Sequence, residues 1–95
     1  MNILIVDDIQ DNREALERLI SQYKRKHNVH CNIYNTCNGK EAIEICAQHS
    51  IDLIFMDIIM PVMDGLEATK IIKKKYPFIM IVVVSSERDE RTKKE

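Results

Sequence analysis

Three short runs of apolar residues, each rich in β-branched side chains, stand out along the chain. They occupy residues 3–6, 53–56 and 79–84. None of them alternates with polar residues, so the pattern predicts strands that are covered on both faces, as in a parallel sheet between helices. A fourth segment, residues 32–37, has a higher polar content and predicts a strand at the edge of that sheet.

The segments between these runs carry apolar residues at helical spacing. The predicted stripes are Leu16, Leu19, Ile20 and Tyr23 in the first segment, Ala42, Ile43, Cys46 and Ala47 in the second, and Leu66, Thr69 and Ile72 in the third. Asp11 followed by Glu14 is typical of a helix start, and Tyr76 before Pro77 of a helix end. The resulting order, β-α-β-α-β-α-β, predicts an α/β fold with a doubly wound sheet.

Length and charge limit what such a domain can do. The chain has 95 residues and a net charge of −1, so we expect one domain over residues 1–95, with no strong field that would favour nucleic acid or a membrane. The three cysteines, Cys31, Cys37 and Cys46, have neither the number nor the spacing of a disulfide framework or a zinc site. We expect reduced thiols and a cytoplasmic protein.

Polar side chains that could bind a metal or react follow the predicted strands. Asp7 and Asp8 follow the first apolar run, Asp57 follows the next long one and Ser85 follows the last. In doubly wound sheets, sites form outside the carboxyl ends of the strands. Clustered carboxylates repel one another unless a cation lies between them, and carboxylate oxygens are ligands that Mg²⁺ accepts. A lone strand-end aspartate more often caps a helix, but this combination predicts a magnesium site.

The chain resembles the receiver domain of two-component response regulators. The resemblance covers essentially the whole chain and rests on the strand and acidic pair at 3–8, on Asp57 with the Met-Pro and Met-Asp-Gly stretches at 60–65, on the helix start at 38–42, and on the strand and hydroxyl at 77–85. It implies a flavodoxin-like sheet with strand order 2-1-3-4. It also implies a phosphoacceptor signalling domain and not an enzyme acting on a separate substrate.

The resemblance also implies a role for each matching residue. Asp57 would accept a phosphoryl group from a histidine kinase or a histidine phosphotransfer protein. Asp8 would ligate Mg²⁺ directly, Asp7 through water, and the backbone carbonyl of Ile59 would complete the ligands from the protein. Ser85 would turn inward, hydrogen-bond the phosphoryl group and switch a surface that a partner reads. Since Ile59 is apolar and cannot position water, we expect slow self-dephosphorylation.

The sequence departs from the family at its C-terminus. The family has a fifth strand that ends in a lysine, whereas this chain ends at Glu95 without such a strand. We therefore expect a C-terminally incomplete receiver without the fifth strand and fifth helix, in which residues 79–84 form an exposed apolar edge. Such edges pair with other chains, so the sequence predicts either a fragment of a longer receiver or a homodimer formed through the fourth strand.

Three other functions fit parts of the pattern. A metal-dependent phosphatase with Asp57 as its nucleophile would need an acid two residues later, where Ile59 stands. A nucleotide-binding flavodoxin-like protein would need a glycine-rich loop after the first strand, where Asp7 and Asp8 stand. A receiver-like interaction module that is not phosphorylated remains the main alternative, because the lysine is missing.

Overall fold

Strands and helices alternate along the whole of the described chain. The computed structural model describes residues 1–58, 60 and 62–84. The strands are β1 (Asn2–Val6), β2 (Asn32–Thr36), β3 (Leu53–Asp57) and β4 (Met80–Val84), and the helices are α1 (Gln10–His27), α2 (Gly39–Gln48) and α3 (Gly65–Lys75). The predicted β-α-β-α-β-α-β order is confirmed. None of these helices is both long and apolar enough to span a membrane.

The four strands form one parallel sheet in the order β2-β1-β3-β4. The chain therefore moves outwards from β1 in one direction to β2, crosses back to β3, and continues to β4. This confirms the predicted flavodoxin-like order 2-1-3-4. The crossover places β1 and β3 side by side at the centre, with Val6 opposite Met56 in the register, and leaves the polar strand β2 at one edge, as its composition predicted.

Side chains of β1 alternate between two hydrophobic clusters, one on each face of the sheet. Leu4 and Val6 belong to the cluster that includes residues of α2 and α3. Ile3 and Ile5 belong to the smaller cluster that includes Ile20 of α1. Because successive strand residues point to opposite faces, this alternation shows that, among the described elements, α2 and α3 cover one face and α1 covers the other.

Two of the three helices begin with a side-chain cap. Asn38 accepts a hydrogen bond from the backbone N–H of Glu41, and Asp64 accepts one from Glu67, each at 2.8 Å. Such caps satisfy amides that have no partner within the helix. α1 instead starts after Ile9 without a side-chain cap. The predicted helix start at Asp11 is therefore wrong, because the helix begins before that residue. Asp11 lies in the first turn, where its charge suits the helix dipole.

The buried faces of two helices differ from the predicted stripes. In α1, Ile20 is buried, whereas Leu19 is 62% exposed and Tyr23 is 58% exposed. In α3, the buried residues are Gly65, Ala68 and Ile72, and Leu66 is exposed. The physical reason is the helix phase, which depends on which residues meet the sheet and is not set by apolar spacing alone. In α2, Ala42 and Cys46 are buried as the stripe predicted, whereas Ile43 is half-buried and Ala47 is exposed.

The cysteines are free thiols in two different environments. Cys31 and Cys46 are buried and Cys37 is exposed. Burial raises the pKa of the Cys46 thiol to about 11, because the ionised form would lose its hydration. Cys46 therefore remains protonated at neutral pH and packs as a small apolar residue.

β4 presents apolar side chains to solvent. Met80 is 65% exposed, and Val82, Val83 and Val84 are also exposed. Among the described residues, β4 is hydrogen-bonded as a strand only to β3. The expectation that both faces of this run are covered is therefore wrong for the described part of the chain, whereas the expectation of an exposed edge agrees with it.

Pairing of β4 with a second copy of the chain stays a prediction. Unpaired backbone groups on an apolar edge strand can hydrogen-bond to a strand of another chain. If two β4 edges pair in this way, light scattering on the purified chain should give the molar mass of a dimer. The matched variant is Val83→Lys, which places a charge on this edge and should return the chain to a monomer. A monomeric mass for the unaltered chain across the tested concentrations would contradict the prediction.

Candidate metal site

Three carboxylates meet at the carboxyl edge of the central strands. Asp57 is the last residue of β3, and Asp7 and Asp8 follow β1 directly. Asp7, Asp8 and Asp57 each offer one carboxylate oxygen, and these three oxygens lie within 4.8 Å of one another. The parallel register of β1 and β3 causes this convergence, because Val6 lies opposite Met56 and each of these two residues is followed in the chain by an aspartate.

The three side chains differ in their exposure. Asp57 is 2% exposed, whereas Asp7 and Asp8 are half-buried. Asp7, Asn12 and Asp57 line one part of a cleft of 580 Å³ between α1 and the sheet. The rest of the cleft is lined mainly by apolar residues, namely Ile5, Val6, Ala15, Leu16, Leu19, Phe55, Val82 and Val84. Asp7 and Asp57 of the acidic cluster therefore share this cleft with apolar side chains.

The donor set fits a hard divalent cation. All three groups are carboxylates, which are preferred ligands of Mg²⁺, and a partly exposed cluster leaves room for the waters that Mg²⁺ retains. Placing a cation among them would also relieve their mutual repulsion. The cluster includes no histidine or cysteine, so it does not have the nitrogen and sulfur ligands typical of zinc.

Asp7 is held by groups at the start of α1. Its Oδ1 accepts a hydrogen bond from the backbone N–H of Ile9 at 2.9 Å, and its Oδ2 accepts one from Nδ2 of Asn12 at 3.3 Å. Nη1 of Arg13 donates to the backbone carbonyl of Asp7 at 2.7 Å. Sequence analysis missed Asn12 and Arg13. Their position could have indicated this role, because both lie in the first turns of the helix that follows Asp7 and Asp8.

Gly65 fixes the backbone on the other side of the site. Its N–H donates to the carbonyl of Ile58 at 2.9 Å. A Cβ added to Gly65 would collide with the carbonyl oxygen of Asp57 and would lie 2.8 Å from the carbonyl carbon. The φ of Gly65 is not positive, so glycine is needed here for the close approach of α3 to β3 and not for a left-handed conformation.

Two predicted site residues lie outside the described part of the chain. These are Ile59, whose carbonyl was predicted to ligate Mg²⁺, and Ser85, which was predicted to be the switch hydroxyl. The structure therefore brings together Asp7, Asp8 and Asp57 from the predicted set, and the roles of Ile59 and Ser85 stay predictions from sequence.

Comparison with known proteins identifies the family. The family described as the response regulator receiver domain matches residues 3–95. This chain is a receiver domain. The matched range begins within β1 and includes the other described strands and helices, so the architecture and the acidic cluster both belong to the matched part of this receiver.

The curated relatives of this receiver are longer proteins. A protein-glutamate methylesterase/protein-glutamine glutaminase from Pseudomonas fluorescens (strain Pf0-1) is 42% identical over 83 residues, which are 87% of this chain and 24% of that protein. The corresponding protein from Pseudomonas savastanoi pv. phaseolicola is 41% identical over 92 residues, or 96% of this chain and 26% of that protein. The chain thus spans about a quarter of the length of the curated relatives it matches.

Solved structures share the fold of this receiver. Response regulator protein TrrA from Thermotoga maritima, in complex with Mg(2+)-BeF, has a TM-score of 0.80 and 30% identity, with 96% of this chain and 74% of that chain covered. Chemotaxis protein CheY4 from Vibrio cholerae has a TM-score of 0.75 and 23% identity, with 98% and 77% covered. The second similarity is one of fold alone.

Replacing Gly65 with alanine should destabilise the receiver and disturb Asp57. The new Cβ would meet backbone atoms of β3, which cannot move aside as a flexible side chain could. We expect Gly65→Ala to lower the free energy of unfolding by about 3 kcal/mol, at the upper end of overpacking costs. Urea denaturation followed by circular dichroism measures this.

The matched control for this substitution is Leu66→Ala. Leu66 is the next residue in the same helical turn, but its side chain is exposed, so its truncation should cost much less. Equal unfolding free energies for Gly65→Ala and the unaltered receiver would show that α3 does not approach β3 as closely as described.

Proposed function

We propose that this receiver accepts a phosphoryl group on Asp57 from a phosphohistidine of a histidine kinase or a histidine phosphotransfer protein, in a reaction that requires Mg²⁺. The observation that carries the proposal is the convergence of Asp7, Asp8 and Asp57, with one oxygen of each within 4.8 Å of the others. A receiver with this cluster has both a nucleophile and a cation site in one place.

The chemistry on Asp57 is a single displacement at phosphorus. A carboxylate oxygen of Asp57 forms a bond to the phosphorus atom while the bond from phosphorus to the donor histidine nitrogen breaks. The electron pair of that bond stays with the imidazole, and the product is an acyl phosphate. Asp57 is well placed for this because β3, buried at the centre of the sheet, fixes its backbone, and positioning supplies much of the catalysis in phosphoryl transfer.

The groups at the cation site would bind Mg²⁺ in different ways. Asp8 and Asp57 would bind Mg²⁺ directly, Asp7 through water, and the carbonyl of Ile59 would complete the ligands. The hydrogen bonds that occupy both oxygens of Asp7 support its indirect role. Mg²⁺ bound there would neutralise and orient the transferring phosphoryl group. TrrA, the relative at 30% identity, is in complex with Mg(2+)-BeF, which supports the choice of cation.

The signalling step would follow from the new charge on Asp57. In this proposal the Ser85 hydroxyl turns inward, hydrogen-bonds a phosphoryl oxygen and alters the surface that a partner reads. The receiver would work in the cytoplasm, where its thiols would stay reduced. Its single domain would comprise residues 1–95. The receiver would act as a phosphoacceptor, and the esterase activity in the relatives' names is not carried over to it, since it matches about a quarter of the length of each of those proteins.

Asp57→Asn should abolish phosphorylation. On incubation with Mg²⁺ and acetyl phosphate, the intact mass of the unaltered receiver should rise by one phosphoryl group, whereas Asp57→Asn should show no added mass because an amide is not a nucleophile here. Removal of Mg²⁺ with EDTA should prevent the gain in the unaltered protein as well.

The matched control is Asp52→Asn. Asp52 is an exposed carboxylate that precedes β3 at the opposite end of the same strand, and this variant should gain the phosphoryl group normally. A gain of mass by Asp57→Asn would place the acceptor elsewhere. No gain by the unaltered chain, together with no gain by a version extended through a fifth strand, would favour an interaction module that is not phosphorylated.

Ile59→Asn should speed the loss of the phosphoryl group. An apolar side chain two residues after the acceptor cannot orient the attacking water, whereas an amide can hydrogen-bond it. The decay of phosphorylated protein, followed by intact mass after the donor is removed, should be several-fold faster in this variant. Ile59→Leu provides the apolar control, and identical decay in all three proteins would contradict a role for this position.

A further inference from the structure

The carboxylate of Asp7 receives one hydrogen bond on each oxygen, and both donors come from the entry to α1. The backbone N–H of Ile9 donates to Oδ1, and the side-chain amide of Asn12 donates to Oδ2. The Ile9 donor is part of the main chain and would be present with any residue except proline at that position. The donor to Oδ2 depends on the identity of residue 12.

Neighbouring polar side chains in the same stretch of α1 have other partners. Gln10 donates through Nε2 to Oε2 of Glu14 at 2.8 Å. Arg13 donates to the backbone carbonyl of Asp7 and not to its carboxylate. Within the described residues, Asn12 is thus the one side chain that hydrogen-bonds the Asp7 carboxylate. Asn12 also lines the cleft that contains Asp7 and Asp57.

A carboxylate that is bonded on one oxygen can still rotate about its last side-chain torsion, which has a broad energy minimum. A second donor on the other oxygen fixes the plane of the group. For a carboxylate within reach of two others, that restriction matters, because rotation changes its repulsion from them and its alignment with a bound cation. Partners of this kind, outside the ligands themselves, tune metal affinity in other proteins.

We infer that Asn12 is a positioning residue that fixes the Asp7 carboxylate and thereby sets the affinity of the acidic cluster for Mg²⁺. The inference rests on the proposed function, since it concerns the same cation site. Asn12 does not touch the reacting atoms. It holds Asp7 in the orientation that the cation and its waters require before the cation arrives, so the ordering cost is not incurred on binding.

The test is a magnesium titration of the full chain by calorimetry, in the absence of any phosphodonor. Asn12→Ala and the nearly isosteric Asn12→Leu both remove the donor, and each should weaken Mg²⁺ binding by about tenfold, at the lower end of such effects because a single exposed hydrogen bond is lost. The control is Gln10→Ala, which removes an amide from the same helical turn without touching Asp7, and its affinity should be unchanged.

Two further readouts separate positioning from folding. Asn12 is exposed, so the thermal unfolding midpoints of the Asn12 variants should stay close to that of the unaltered protein. In nuclear magnetic resonance spectra of the metal-free protein, the amide proton of Ile9 should shift in both Asn12 variants, because it donates to the carboxylate that has been released. In Gln10→Ala, which changes the neighbouring residue, the shift should be smaller than in either Asn12 variant.

The outcomes distinguish this inference from the proposed function. Unaltered protein that binds Mg²⁺ together with Asn12 variants that bind it equally well would overturn the positioning role alone. If the unaltered protein bound no Mg²⁺, the cation site itself would be wrong, and the role of Asn12 would be overturned with it.

Discussion

The parallel pairing of β1 with β3 is the contact on which both the core and the site depend. Leu4 lies opposite Ile54 and Val6 lies opposite Met56, and all four side chains are almost fully buried. A shift of one residue in this register would turn the apolar side chains of one strand to the opposite face. Packing of the core therefore places Asp7 and Asp57 at equivalent positions on neighbouring strands. The site is a consequence of that packing.

The site imposes costs that the rest of the fold offsets. Three carboxylates repel one another, and one of them, Asp57, is almost completely buried. The loop that follows Asp57 also carries strain, because Val62 has a φ of 73°, a conformation that costs a β-branched residue about 1–3 kcal/mol. At the end of that loop, Gly65 lies against the backbone of Asp57. Repulsion and backbone strain are thus concentrated at the end of the central strands.

The described helices cover the two faces of the sheet unequally. α2 and α3 pack on one face with a large cluster that includes Leu4, Ile54 and Met56. α1 packs on the other face with a smaller cluster. The cleft beside α1 runs from Asp7 and Asp57 towards Val82 and Val84 of β4. Asp7 and Asp57 consequently share a cleft with apolar side chains of β4, the strand whose edge is exposed.

The sequence by itself determined the element order, the strand order implied by the family resemblance, and the set of acidic residues at strand ends. Apolar runs and helical spacing are local properties, and the motif around Asp57 is continuous along the chain, so both can be read without coordinates. The sequence did not determine the phase of α1, in which Leu19 and Tyr23 face solvent, or the start of that helix after Ile9. Which helix residues meet the sheet could not be predicted, because helix rotation and docking depend on contacts between segments distant in sequence. The contact between Asn12 and Asp7 is local, but it depends on where α1 begins, and that position was not predicted.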